Sequence, residues 1–240
     1  MRIPKRRALI TGVGHRRGIG YATASLFAER GDSVFVTRFG AFDRERPFSQ
    51  DSDIPWPSLD ADLSNALAPA RIFDAAEAEM GGVDILVLNH SFFQADDLQT
   101  VRPEVLDSHL TINVRGSVLL CQEFARRHTG DWGRIVFLTS GQGLHPMPDN
   151  LSYAASKGAI EAVSLTLAGA LASRGITVNT VDPGGTDTGW MSDDQKDAWA
   201  AASPRGRIGT SQDAARLIAF LSSDEGEWIT GQIVRSRGSA

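Results

Sequence analysis

Short apolar runs punctuate the chain at intervals: "RALIT", "SVFVT", "VDILVLN", "RIVFLTS", "ITVNTVDP" and, near the end, "ITGQIVRS". Each is rich in Val, Ile and Leu without an alternating polar position, the pattern of parallel strands covered on both faces. Between them apolar residues recur at helical spacing from Ile19 to Arg30, from Val114 to His128 and from Ser152 to Arg174. The first and last of these stop at Gly31 and Gly175, the residue type that best ends a helix. Alternation of strand and helix predicts a doubly wound α/β sheet with right-handed crossovers. In such sheets ligands bind beyond the carboxyl ends of the strands.

One stretch breaks the rhythm. Gly40 to Pro57, "GAFDRERPFSQDSDIPWP", carries three prolines and no helical period where a crossover helix belongs, and reads as a long surface loop. The chain re-enters the sheet near Leu59-Asp60-Ala61-Asp62, and Ser64 or Asn65 caps a helix running toward Met80 before the Gly81-Gly82 break. Further on, "DTGWMSDDQKDAWAAASP" reads as a helical lid spanning about 187–205.

Composition narrows the class. A chain of 240 residues that is 42% hydrophobic suits one domain, residues 1–240, with a sizeable core. A net charge of -5 gives no field for nucleic acid. The single cysteine, Cys121, excludes an internal disulfide framework. The basic start is followed by too few apolar residues for a secretion signal, and no run approaches the roughly 20 needed to cross a bilayer. A cytoplasmic protein that binds no membrane is expected.

Chemistry enters at "TGVGHRRGIG", residues 11–20, a glycine cluster between a strand and a helix. Glycines at Gly12, Gly18 and Gly20 let backbone approach a pyrophosphate, and the free N–H groups near Gly18-Ile19-Gly20 supply donors and partial positive charge. Folds that take NAD place an acid after the second strand to hold the ribose hydroxyls. Here Thr37 and Arg38 stand there, and Arg38 with Arg17 or Arg16 could meet a phosphate instead. The cofactor expected is NADP(H) in preference to NAD(H).

At "SYAASK", Tyr153 and Lys157 are four apart and share a helix face, with Ser140 at the end of an earlier strand. A phenol titrates near 10, and an adjacent ammonium should lower it by one to three units, making a usable acid.

With these parts in order, the chain resembles the short-chain dehydrogenase/reductase family. The likeness runs through "TGVGHRRGIG", Asp62-Leu63, Asn89, Asn113, Ser140, "YAASK", "NTVDPGGTDT" and "EWITGQ". The resemblance implies a Rossmann-type, mostly parallel seven-stranded sheet in a single domain. It implies that Tyr153 protonates a carbonyl as hydride arrives, Ser140 hydrogen-bonds that oxygen, Lys157 holds the nicotinamide ribose, and Asn113 positions a relay water. By the same resemblance Asp62 and Leu63 lie at the adenine, Asn89 lies beside its ribose, and Pro183-Gly184 with Thr186 or Thr188 hold the carboxamide. No metal is implied, and a homotetramer is.

Departures from the family pattern are a lengthened glycine loop, Asn89-His90-Ser91-Phe92 in place of Asn-Asn-Ala-Gly, and the missing crossover helix. Phe92, Phe93, Gln142, Leu144, His145, Met147, Trp190 and Met191 are candidates to line a mainly apolar pocket. The likeness is to members described as 3-oxoacyl-[acyl-carrier-protein] reductases, so a carbonyl on an acyl carrier protein, met by Arg126, Arg127 and Arg174, stands beside a free small-molecule ketone. A sugar or polyol dehydrogenase and a non-catalytic NADP-binding regulatory module remain open alternatives.

Overall fold

The structure is a computed structural model and describes residues 5–43 and 53–238. Seven strands form one sheet in the order β3-β2-β1-β4-β5-β6-β9, every neighbouring pair parallel. They are β1 (Arg7–Ile10), β2 (Ser33–Arg38), β3 (Ser58–Asp60), β4 (Ile85–Leu88), β5 (Gly133–Leu138), β6 (Ile176–Asp182) and β9 (Ile233–Arg235).

The unbroken apolar runs follow from two cores. Leu9, Leu86, Ile135 and Val178 face one layer, built on Phe73 of α3 (Ala68–Met80), Phe124 of α5 (Gly116–Arg127) and Ile160 of α6 (Leu151–Leu171). Ala8, Ile10, Ile85, Val87 and Val136 face the other, built on Phe27 of α1 (Ile19–Glu29) and Ile218 of α8 (Ser211–Leu221). Successive residues of a strand point to opposite faces, so both positions must be apolar. The expected doubly wound sheet is what forms.

Several boundaries differ from expectation. The segment read as a loop from Gly40 opens with a helical turn, α2 (Gly40–Asp43); residues 44–52 lie outside the described residues. β3 begins and ends earlier than Leu59–Asp62. The next helix starts at Ala68 without a side-chain cap, because Asp62 and Asn65 accept from Ser64 N–H (2.8 Å) and Leu67 N–H (2.9 Å) in the turns before it.

The helix expected from Val114 has a longer course. α4 (Pro103–His109) runs through one π-helical turn, Leu110–Arg115, into α5. Beyond β6 a second, two-stranded parallel ladder pairs β7 (Thr186–Asp187) with β8 (Gly209–Thr210), and α7 (Asp193–Ala202) lies between them. Among the described residues no helix is long and apolar enough to cross a membrane.

Candidate active site

The carboxyl ends of β1, β2 and β4 converge on the glycine loop. Gly12 has φ +70, and a Cβ there would sit 2.6 Å from the Cα of His90, so only glycine fits. Asn89 Nδ2 donates to the Thr11 and Gly12 carbonyls (3.0 and 2.8 Å), and it would lie 2.6 Å from a Cβ at Gly20. These glycines therefore let the loop close against β4. At Gly18 the helix α1 starts without a side-chain cap, which leaves its first N–H groups facing the ligand side.

His90, one of the departures from the family pattern, links the parts. Its Nδ1 lies 2.7 Å from Thr11 Oγ1 and its Nε2 3.2 Å from the Ile112 carbonyl in the π turn. A carbonyl only accepts, so Nε2 carries the proton and Nδ1 accepts from Thr11. Burial, aided by the Lys157 charge, pushes His90 down to about 3 and keeps it neutral.

The arginines separate. Arg16 pairs with Asp53 (2.7 Å), whereas Arg17 turns to Asp187 (3.4 Å) at the base of the lid instead of joining Arg38. The Arg38 Nε is buried and has no hydrogen-bond partner among the described residues. Asp43 of α2 lies against Gly14. The Asp62 carboxylate is held by the Ser64 N–H (2.8 Å), and the Leu63 side chain belongs to the core under Gly116.

Ser140, Tyr153 and Lys157 do come together. The hydroxyls of Ser140 and Ser91 both stand close enough to the Tyr153 hydroxyl to act on its titration, and Ser91 is a neighbour the sequence does not announce. Lys157 is 3% exposed, and its Nζ donates to the Leu138 carbonyl (3.0 Å) while standing 5.5 Å from the Tyr153 ring centroid. The expected lowering of the phenol by Lys157 is not what the surroundings produce. Burial raises Tyr153 above its ordinary value, against the Ser91 and Ser140 hydroxyls, which lower it, and burial brings Lys157 down to about 8.

Asn113 is placed by the π turn, which rotates its side chain inward. Oδ1 accepts from Phe92 N–H (2.6 Å), and Nδ2 donates to the Phe92 carbonyl (3.0 Å) and Ser156 Oγ (3.0 Å). The amide thus fastens the loop after β4 to α6.

The pocket candidates divide. Gln142 is turned away, donating to Glu161 Oε1 (2.6 Å) and Thr139 Oγ1 (3.0 Å) behind the β5 loop. Phe92 packs on His109 (centroids 4.8 Å apart), and Phe93 is the ring that stands against Tyr153, at 5.2 Å. Leu144, His145 and Trp190 are exposed and Met147 and Met191 half-buried. Trp190 meets His15 of the glycine loop edge to face at 6.4 Å. Helix α7, in the segment expected to form a lid, rests its Trp199 on Gly185, where a Cβ would approach the indole to 2.5 Å. Thr186 Oγ1 donates to the Pro183 carbonyl (2.8 Å), Gly184 turns with φ +64, and Thr188 lies half-buried two residues on.

A helix start without a side-chain cap, a backbone that closes only with glycine, and a phenol beside two serine hydroxyls lie at the ends of adjacent strands. They suit an NAD(P)-dependent oxidoreductase, with a glycine loop whose backbone fits a dinucleotide. The chain belongs to the short-chain dehydrogenase/reductase family: the family model described as enoyl-(acyl carrier protein) reductase matches residues 12–238. It is 42% identical to an uncharacterized oxidoreductase, YjdA, of Bacillus subtilis, covering 96% of this chain and 95% of that protein. It is 33% identical to elsinochrome reductase 1 of Elsinoe fawcettii, over 100% of this chain and 96% of the relative. A crystal structure of a short chain dehydrogenase from Burkholderia cenocepacia in complex with NADP superimposes with a TM-score of 0.86 at 32% identity, covering 100% of this chain and 99% of that one.

Proposed function

We propose that the protein is an NADPH-dependent reductase of a free, mainly apolar ketone or related carbonyl compound. The observation that carries this reading is the gathering of Ser140, Ser91 and Lys157 around Tyr153, with Lys157 Nζ 5.5 Å from the ring centroid one helical turn along. When bound, the cofactor supplies the hydride that forms the new C–H bond. Tyr153 hands its proton to the carbonyl oxygen and regains one from solvent. Ser140 stabilises the charge developing on that oxygen, Ser91 holds the phenol beside it, and Lys157 supplies positive charge. Asn113 keeps the loop carrying Ser91 seated on α6.

The buried Arg38 Nε, a donor with no acceptor among the described residues, supports a phosphate on the adenosine ribose. The similar Burkholderia protein's complex with NADP supports the same choice. Phe93, Leu144 and Trp190 give the mouth an apolar wall. A carrier-bound substrate finds less support: Arg127 is held by Asp74, Glu77 and Glu123, Arg126 by Glu123, and Arg174 donates to the Ala125 and His128 carbonyls.

The test is consumption of NADPH, and of NADH in parallel, against β-keto esters, β-ketoacyl thioesters, quinones and simple ketones. Wild type should turn over one class with NADPH preferred, and Tyr153→Phe should fall by a factor of about 100 or more. A variant as active as wild type overturns the role of Tyr153. NADPH binding with silence across the panel favours the non-catalytic binder.

A further inference from the structure

At the end of β6 stands a buried carboxylate that the reaction scheme does not use. Asp182 is 1% exposed; its Oδ1 accepts from the Gly184 N–H (2.9 Å), and its Oδ2 faces Nη1 of Arg237 at 3.4 Å. Arg237 belongs to the tail after β9, and its side chain is 15% exposed. Its stem lies across the Pro183-Gly184 turn, where a Cβ on Gly184 would meet Arg237 Cγ at 2.9 Å. Its guanidinium reaches the β5 loop, where Nη1 would be 3.4 Å from a Cβ on Gly141, the neighbour of Ser140. One side chain from the tail therefore touches the turn proposed to hold the carboxamide and the loop carrying Ser140.

We infer that Arg237 is a positioning residue of the reductase site: paired with Asp182, it pins the tail over the Pro183-Gly184 turn and shields the Tyr153 hydroxyl from an uncompensated carboxylate. An ionised carboxylate this buried needs a partner, and removing one member of such a pair leaves the other charge exposed to the site. The Asp182 charge is felt at Tyr153, where it raises the phenol. The charged and titratable groups around Tyr153 are Lys157 on its own helix, His109 on α4, and His90 and Asp96 in the loop after β4. Among the described residues His145 in the β5 loop, Asp182 and Arg237 stand on the other side. Asp182 with Arg237 is the pair among them joined across the cofactor turn.

The inference rests on Tyr153 as the acid, so its test reads Tyr153 with and without turnover. The chain has two tyrosines, so tyrosinate absorbance of the cofactor-bound protein, corrected with Tyr153→Phe, follows this one group directly. The alkaline limb of carbonyl reduction follows it through catalysis. Arg237→Gln should move both upward by about one pH unit, the low end of a single nearby charge. Asp182→Asn should move them downward, the double variant should match Asp182→Asn, and Arg237→Lys should restore the wild-type limb. Circular dichroism and NADPH affinity confirm that each variant is folded. A limb that stays in place or moves downward in folded Arg237→Gln, with activity lower at every pH, overturns the inference and leaves a merely structural contact. A tyrosinate shift without turnover of any substrate upholds the pair and defeats the reductase reading; turnover without the shift does the reverse.

Discussion

Lys157 shows what the site costs the fold. The unfolded chain protonates this amine as the pH falls past its ordinary 10.5, the folded chain only below about 8. The penalty therefore builds across that window and is complete at pH 7. Lys157→Met should abolish reduction yet stabilise the protein at pH 7 by up to about 3 kcal/mol, less roughly 1 for the Leu138 carbonyl left without a donor. Melting temperatures at pH 7 and pH 10 check it, since the gain should fade at the higher pH. At this scale Ser140, Tyr153 and Lys157 were legible because strand end and helical spacing bring them together whatever the loops do. Ser91 was not, because it lies in an aperiodic loop whose course Asn113 fixes from a distant helix. Gln142 misled because the tight turn Gly141–Gly143 points it back at Glu161.

Among the elements, the π turn and the lid govern geometry. One extra residue per turn at Leu110–Arg115 rotates Asn113 inward while Gly116 passes close to Leu63. No periodicity in the sequence announces such a turn. The start of α4 falls outside the helix expected from Val114, although Pro103 followed by Glu104 suits a first helical turn. The lid helix α7 buries none of its own residues and has a capping box from Ser192 and Gln195. It is held by Trp199 on Gly185 and by Asp187, which meets both Arg17 (3.4 Å) and Lys196 (3.8 Å). Trp199→Ala should raise the KM for substrate about tenfold, change kcat less, and leave the melting temperature within a few degrees. Steady-state kinetics beside limited proteolysis of α7 checks this, with faster cleavage expected in the variant.

For the whole molecule, the strand order was legible to the level of a doubly wound sheet because every buried strand must be apolar on both faces. The register, the β7-β8 ladder and the place of β3 depend on loop lengths and long-range pairing that no local pattern encodes. Val118, Leu151 and Leu165 stay exposed on α5 and α6, and Ile233 on the edge strand β9. Such apolar positions on neighbouring elements suit association between copies of the chain. Light scattering after size exclusion should give four chains, and Leu165→Glu should shift that mass toward smaller species; a monomer in wild type refutes the assembly.

The β7-β8 ladder has a consequence for how such an enzyme can diversify. By fastening Thr186 to Gly209 and Asp187 to Thr210, it turns the whole lid into an excursion whose two feet are already joined. Lengthening a loop with joined ends adds little entropic penalty, because that penalty grows only with the logarithm of its length. The segment between the feet is thus a cassette: it can be exchanged for another with the hydride-transfer machinery undisturbed, and substrate choice can drift while the sheet stays fixed.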